Sequence, residues 1–100
     1  MSSLYIIIPA YNESENIEKT ISDWYPVVES HNEEGNSRLV IINDGSKDNT
    51  YDLVCRLAKK HPLLVSLTKP NGGHGSTVLY GYRYAIQNHA DYIFQTDSDG

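Results

Sequence analysis

Four short apolar runs alternate with segments of helical spacing, and that alternation limits what this chain can fold into. The first run, residues 4–8, is continuously apolar and rich in β-branched side chains. Such continuity predicts a parallel strand buried on both faces. Similar runs recur at residues 39–42, 63–68 and 92–94. Between them, Ile17, Ile21 and Trp24 or Tyr25 repeat at helical spacing, as do Leu53, Val54, Leu57 and Ala58, and then Val78, Leu79, Tyr82 and Ile86. The order β-α-β-α-β-α-β predicts an α/β fold, a Rossmann-like, mainly parallel sheet with flanking helices. One hundred residues suffice for one small domain of this kind.

Local signals set the expected boundaries. Pro9 ends the first strand. Asn12 followed by Glu15 has the form of a capping box, and Pro26 is expected to kink or end the first helix. Asp48 or Thr50 caps the second helix, and Pro62 follows its end. In the third helix, Tyr82 is read as core, with Tyr80 and Tyr84 on the surface.

Right-handed crossovers bring every strand's C-terminal end to one edge of the sheet. Ligands of open parallel sheets bind at that edge. The polar, unusual residues of this chain all follow strand ends: 9–13, Asp44, 72–75 and 97–99. This coincidence predicts a ligand site.

Asp97 and Asp99 flank Ser98, so their side chains share one side of an extended segment. Two neighbouring carboxylates repel, and a divalent cation relieves the repulsion. Mg²⁺ or Mn²⁺ takes one or two carboxylates and completes its shell with phosphate oxygens and water. The same spacing also occurs in plain polar turns; its place at a strand end favours the metal. Asp44 can accept hydrogen bonds from ribose hydroxyls or a base N–H, or serve only as a turn residue before Gly45. Tyr11 can stack on a base. Asn12 and Glu13 can bond the base edge, cap a helix, or do both. Gly73 and Gly75 allow close backbone approach to a ligand, and the N–H groups opening the third helix can face an anion. His74 is placed to touch a phosphate or sugar.

Other classes fit poorly. The glycine loop lacks the third glycine of a dinucleotide fingerprint and follows the third strand, not the first; no Gly-Lys-Ser/Thr occurs either. The net charge of -5 argues against a nucleic-acid partner. No histidine pair has helical ligand spacing, which argues against zinc. The single cysteine, Cys55, has no disulfide partner in the chain and is expected to be a buried free thiol. No run approaches the ~18 apolar residues of a membrane span. A cytoplasmic location is therefore expected, with the cytosolic face of a membrane open to a longer protein.

Taken together, these motifs resemble glycosyltransferase family 2. Residues 7–13, Ile-Ile-Pro-Ala-Tyr-Asn-Glu, are similar to its opening segment. Asp44-Gly45-Ser46 with Asp48 and Thr50, the 71–75 loop, and Asp91-Tyr92 through Asp97-Ser98-Asp99 are similar to its next three motifs. The resemblance implies the N-terminal half of a GT-A fold, with residues 1–100 as one nucleotide-sugar-binding subdomain ending after the paired aspartates. It implies transfer of a sugar from a nucleotide diphosphate, with UDP-sugar favoured and GDP-mannose the alternative. The acceptor is unassigned, with a polyprenyl phosphate or a glycan in view, and the transfer inverts the anomeric centre. Pro9, Ala10, Tyr11, Glu13 and Asp44 would surround base and ribose, with Gly73, His74, Asp97 and Ser98 completing the nucleotide site. Asp97 and Asp99 would hold Mg²⁺ or Mn²⁺. At His74 many relatives carry lysine. No residue here matches the family's catalytic base, which is expected beyond Gly100, so the chain alone is expected to lack transfer activity and to self-associate into a homo-oligomer. Two other classes remain: a non-catalytic nucleotide-binding module, and a flavodoxin-like or receiver-like signalling domain.

Overall fold

The computed structural model describes residues 2–98. Its elements are β1 (Leu4–Ala10), α1 (Ile17–Ser30), β2 (Arg38–Asp44), α2 (Thr50–Ala58), β3 (Leu64–Lys69), α3 (His74–Gln87) and β4 (Tyr92–Gln95). The four strands form one parallel sheet in the order β3-β2-β1-β4. The chain steps outward from β1 to β3, then returns across the sheet to place β4 on the other side of β1. Strand order thus reverses at β1, which makes its C-terminal end the expected ligand crevice.

Strand residues alternate between two cores, as the pleat requires. Ile6, Ile8, Ala10, Leu39 and Ile41 pack with Ile17, Ile21, Tyr25 and Val28 of α1 and Val54 of α2. Tyr5, Ile7, Val40 and Ile42 face the opposite way and pack with Ala85 of α3. Both β1 and β2 are therefore covered on both sides, which is why their apolar runs have no polar interruptions.

Several local expectations need correction. β1 runs through Pro9 to Ala10, because the ladder to β2 continues there, and Asn49, not Asp48 or Thr50, holds the N-cap position of α2, with no side-chain cap. Helix α1 begins at Ile17 behind Asn16, so Asn12 and Glu15 form no capping box. Asn12 instead adopts φ 52°, a left-handed conformation that asparagine tolerates better than most residues. Pro26 does not end α1, which runs on to Ser30. It lies on the exposed side, where a freed carbonyl can meet water, while Tyr25 and Val28 anchor the buried side. Cys55 is only half-buried, with Sγ 3.4 Å from the Ser66 hydroxyl. The largest correction concerns α3, whose buried residues are Thr77, Gly81 and Ala85. Leu79 and Ile86 face outward, Tyr82 is half-buried and belongs to neither core, and Tyr84 packs inward with its ring 6.3 Å from that of Tyr5. A Cβ on Gly81 would collide with Ile7 Cγ2 and sit 2.9 Å from Ile42 Cδ1. Small side chains thus let α3 lie directly on the sheet.

Candidate functional site

The C-terminal ends of the strands enclose a cleft of about 370 Å³. Pro9, Ala10, Tyr11, Glu13, Asp44, Gly73, His74, Asp97 and Ser98 all line it, together with Asn71 and Thr77. The structure therefore brings these nine candidates around one space, whereas Asn12 and Gly75 are not among its lining residues. Asp99 lies outside the described residues.

Asp44 closes β2, and its side chain is nearly fully buried. Its Oδ1 accepts from Lys69 Nζ at 2.9 Å and from the Gly72 N–H at 2.9 Å. Its Oδ2 accepts from the Gly73 N–H at 3.1 Å and from Asn71 Nδ2 at 3.4 Å. Asn71 Nδ2 also donates to the Asp44 carbonyl at 3.0 Å. Burial pushes the carboxyl's pKa up, but Lys69, the Gly72 N–H and Thr77 outweigh it, and the group lies below its ordinary value. Asp44 is thus an ionised post that fixes the glycine loop at the mouth of β3. The loop comes equally close to the turn after Asp44. A Cβ on Gly45, which sits at φ 66°, would fall 2.6 Å from the Asn71 nitrogen.

The turn after β1 is stitched to the turn after β2. The Asn12 N–H donates to Ser46 Oγ at 2.9 Å, and Asn12 Oδ1 accepts from the Lys47 N–H at 2.8 Å. The Glu13 N–H donates to Thr50 Oγ1 at 2.9 Å, and the Ser14 N–H to Asp48 Oδ2 at 3.3 Å. Asp48 Oδ1 accepts from both the N–H and the hydroxyl of Thr50. The Thr50 hydroxyl, despite the burial that opposes it, leads the contacts holding the Asp48 pKa down at about 2. These two turns carry Tyr11 and Glu13 into the cleft wall.

The opposite wall is more open. His74 begins α3, so its neighbouring N–H groups belong to a helix's first turn and lack intrahelical partners. Its Nε2 lies 3.7 Å from Asp97 Oδ1, and both side chains are more than half exposed. Gln95 Nε2 donates to the same Asp97 oxygen at 3.1 Å. Ser98 is buried, and its carbonyl accepts from Thr20 Oγ1 at 2.9 Å. Among the described residues no three ligating side chains gather into a protein-only metal cage. Asp97 does open onto the cleft, the arrangement suited to a hard cation completed by phosphate and water.

Sequence reasoning missed Lys69, Thr20 and Thr77. Lys69 and Thr20 act through partners 25 and 78 residues away, which no local pattern records. Thr77 Oγ1 donates back to the Gly73 carbonyl at 2.8 Å, a hydroxyl-to-i−4 pattern that a glycine four residues earlier hints at.

The model of the family described as glycosyl transferase family 2 matches residues 5–100. A dolichyl-phosphate beta-glucosyltransferase, ALG5C, of Trichomonas vaginalis is 36% identical over 94% of this chain and 28% of its own length. A UDP-N-acetylglucosamine--dolichyl-phosphate N-acetylglucosaminyltransferase of Methanococcus voltae is 28% identical over 97% of this chain and 41% of its own. The crystal structure of residues 1–349 of TarS from S. aureus superposes with a TM-score of 0.71 at 18% identity, covering 97% of this chain and 27% of that one. This likeness establishes the fold, a four-stranded parallel sheet with flanking helices. The chain thus spans well under half the length of these relatives.

Proposed function

From its membership of glycosyl transferase family 2, we propose that this chain is the donor-binding part of an enzyme that transfers a sugar from a nucleoside diphosphate. The observation that carries the reading is the cleft at the strand ends, lined by a stacking ring, buried and exposed carboxylates, and a helix's first turn. The nucleoside lies against Pro9, Ala10 and Tyr11, with Glu13 and Asp44 on the ribose and base side. Both Asp44 oxygens already have protein donors, so a ribose hydroxyl shares the carboxylate with the Asn71 amide at 3.4 Å, the longest of its contacts. The diphosphate faces the α3 N-terminus, Gly73 and His74, where backbone N–H groups favour anions.

Asp97, with Asp99 two residues further on in sequence, would hold Mg²⁺ or Mn²⁺ against the diphosphate. Such a cation would supply charge neutralisation for the departing diphosphate. A UDP-sugar is the favoured donor, in keeping with the name of the Methanococcus relative. The acceptor reading is a polyprenyl phosphate, because both relatives named above are called dolichyl-phosphate transferases. A phosphate monoester is largely ionised near neutral pH and brings its own nucleophilic oxygen. Its direct attack on the anomeric carbon would expel the diphosphate and invert that centre. We place this chemistry at the cytosolic face of a membrane, in keeping with the unpaired thiol of Cys55. Among the described residues no helix is long and apolar enough to cross one.

Calorimetry of UDP binding, with Mn²⁺ and with EDTA, tests the donor site. Affinity is expected to be higher with Mn²⁺. Equal affinity in both would remove the metal from the reading, and a folded chain that ignores UDP altogether would remove the donor site.

A further inference from the structure

Where the chain leaves the sheet after β4, two anchors bracket Asp97. The Thr96 N–H donates to the Ile7 carbonyl at 3.1 Å, the last ladder bond to the central strand. Two residues on, the buried Ser98 carbonyl accepts from the Thr20 hydroxyl at 2.9 Å. Thr20 belongs to α1 and is itself buried. Its hydroxyl has one proton and two acceptors in range, Ser98 O and, at 3.1 Å, Asn16 O. The Ser98 carbonyl is the nearer of the two, so the hydroxyl proton is assigned to it. Asp97, pinned on either side, has its carboxylate directed toward His74 and the cleft.

We infer that Thr20 is a positioning residue for Asp97: its hydroxyl holds the Ser98 carbonyl and so presets the carboxylate side of the donor site. This rests on the donor-binding reading above. Without the hydroxyl, the carbonyl of the buried Ser98 would have no donor among the described residues, a penalty the segment escapes by swinging toward water. That movement displaces Asp97 and leaves the nucleoside wall, to which neither side-chain hydrogen bond of Thr20 runs, as it was.

The test uses Thr20→Val, Thr20→Ala and Thr20→Ser in the full chain, each checked for folding by circular dichroism. UDP affinity is measured with Mn²⁺ and with EDTA, and uridine affinity by NMR titration. Val and Ala are expected to cut the Mn²⁺ enhancement of UDP binding by about fivefold, the scale of one hydrogen bond's net worth, with uridine affinity unchanged. Ser, which keeps the hydroxyl, is expected to retain the enhancement. If Val fails to fold, the comparison of Ala with Ser decides. Full enhancement in the hydroxyl-less variants overturns the inference. Equal losses for uridine and UDP also overturn it, since they indicate a general packing role. A wild-type chain without Mn²⁺ enhancement removes the metal from the donor-binding reading and overturns the inference with it, whereas one that ignores UDP altogether overturns the donor-binding reading itself; both are recognised before any variant is made.

Discussion

The two walls of the cleft are built by opposite means. On the β2 side, the buried Asp44 carboxylate takes hydrogen bonds from Lys69, Gly72, Gly73 and Asn71, and the neighbouring turns are sewn together through Asn12, Ser46, Asp48 and Thr50. On the α3 and β4 side, His74 and Asp97 stand exposed and 3.7 Å apart. A buried charge must be paired, whereas an exposed one can wait for a partner in water. The difference shows which wall is finished by the protein alone. In the proposed reading, the finished wall receives the nucleoside and the open wall is completed by the charges the ligand brings.

The sharpest way to break this contrast is to remove the post of the finished wall. Asp44→Ala leaves the Lys69 ammonium buried without its carboxylate, and stranding one partner of a buried pair costs about 3 kcal/mol. Urea denaturation should show a loss of that size, and UDP affinity should fall with it. A variant as stable as wild type would mean that Asp44 and Lys69 are effectively solvated and the wall is not preset.

A smaller effect belongs to Asp48, whose pKa is held down at about 2. A depressed carboxyl stabilises the fold above its unfolded pKa and loses that contribution as pH falls through the folded value. The window is therefore about pH 4 down to pH 2. Asp48 is exposed, so screening limits its share to about 1 kcal/mol. Asp48→Asn should lose that much at pH 7 and show a shallower fall in urea midpoint across the window. Identical pH profiles for the two proteins would show that the stitched turns contribute nothing through this carboxylate.

What could be read beforehand follows from the same physics. β1 and β2 were legible because burial on both faces leaves an unbroken apolar run. The cleft at the strand ends was legible because polar residues unsuited to a core cluster after each strand. The buried face of α3 was not, because close approach to the sheet selects Thr77, Gly81 and Ala85 by size, while Leu79 and Ile86 remain outside. Hydropathy weighs those residues the wrong way round. Asn12 was misread as a cap because its tertiary bonds to Ser46 and Lys47 have no local signature. Lys69 and Thr20 were invisible for the same reason: each is an ordinary residue until the fold supplies its acceptor.

The smallest expected effect sharpens the contrast from the open side. His74 is exposed, and its contact with Asp97 is a surface one at 3.7 Å, of a kind that contributes little to folding. His74→Ala should therefore change folding stability by less than about 0.5 kcal/mol. Its contribution should appear only when a charged ligand is present. UDP affinity is expected to fall by about 0.5–1 kcal/mol, the range of one modest hydrogen bond. Uridine carries no phosphate and should bind the variant as it binds wild type. Calorimetry for UDP, NMR titration for uridine and a thermal melt separate the three quantities. A stability loss as large as that of Asp44→Ala would make this wall as finished as the other. A uridine loss equal to the UDP loss would move His74 to the nucleoside side of the cleft. Only the selective UDP loss fits a wall that the protein leaves open for the phosphates to close.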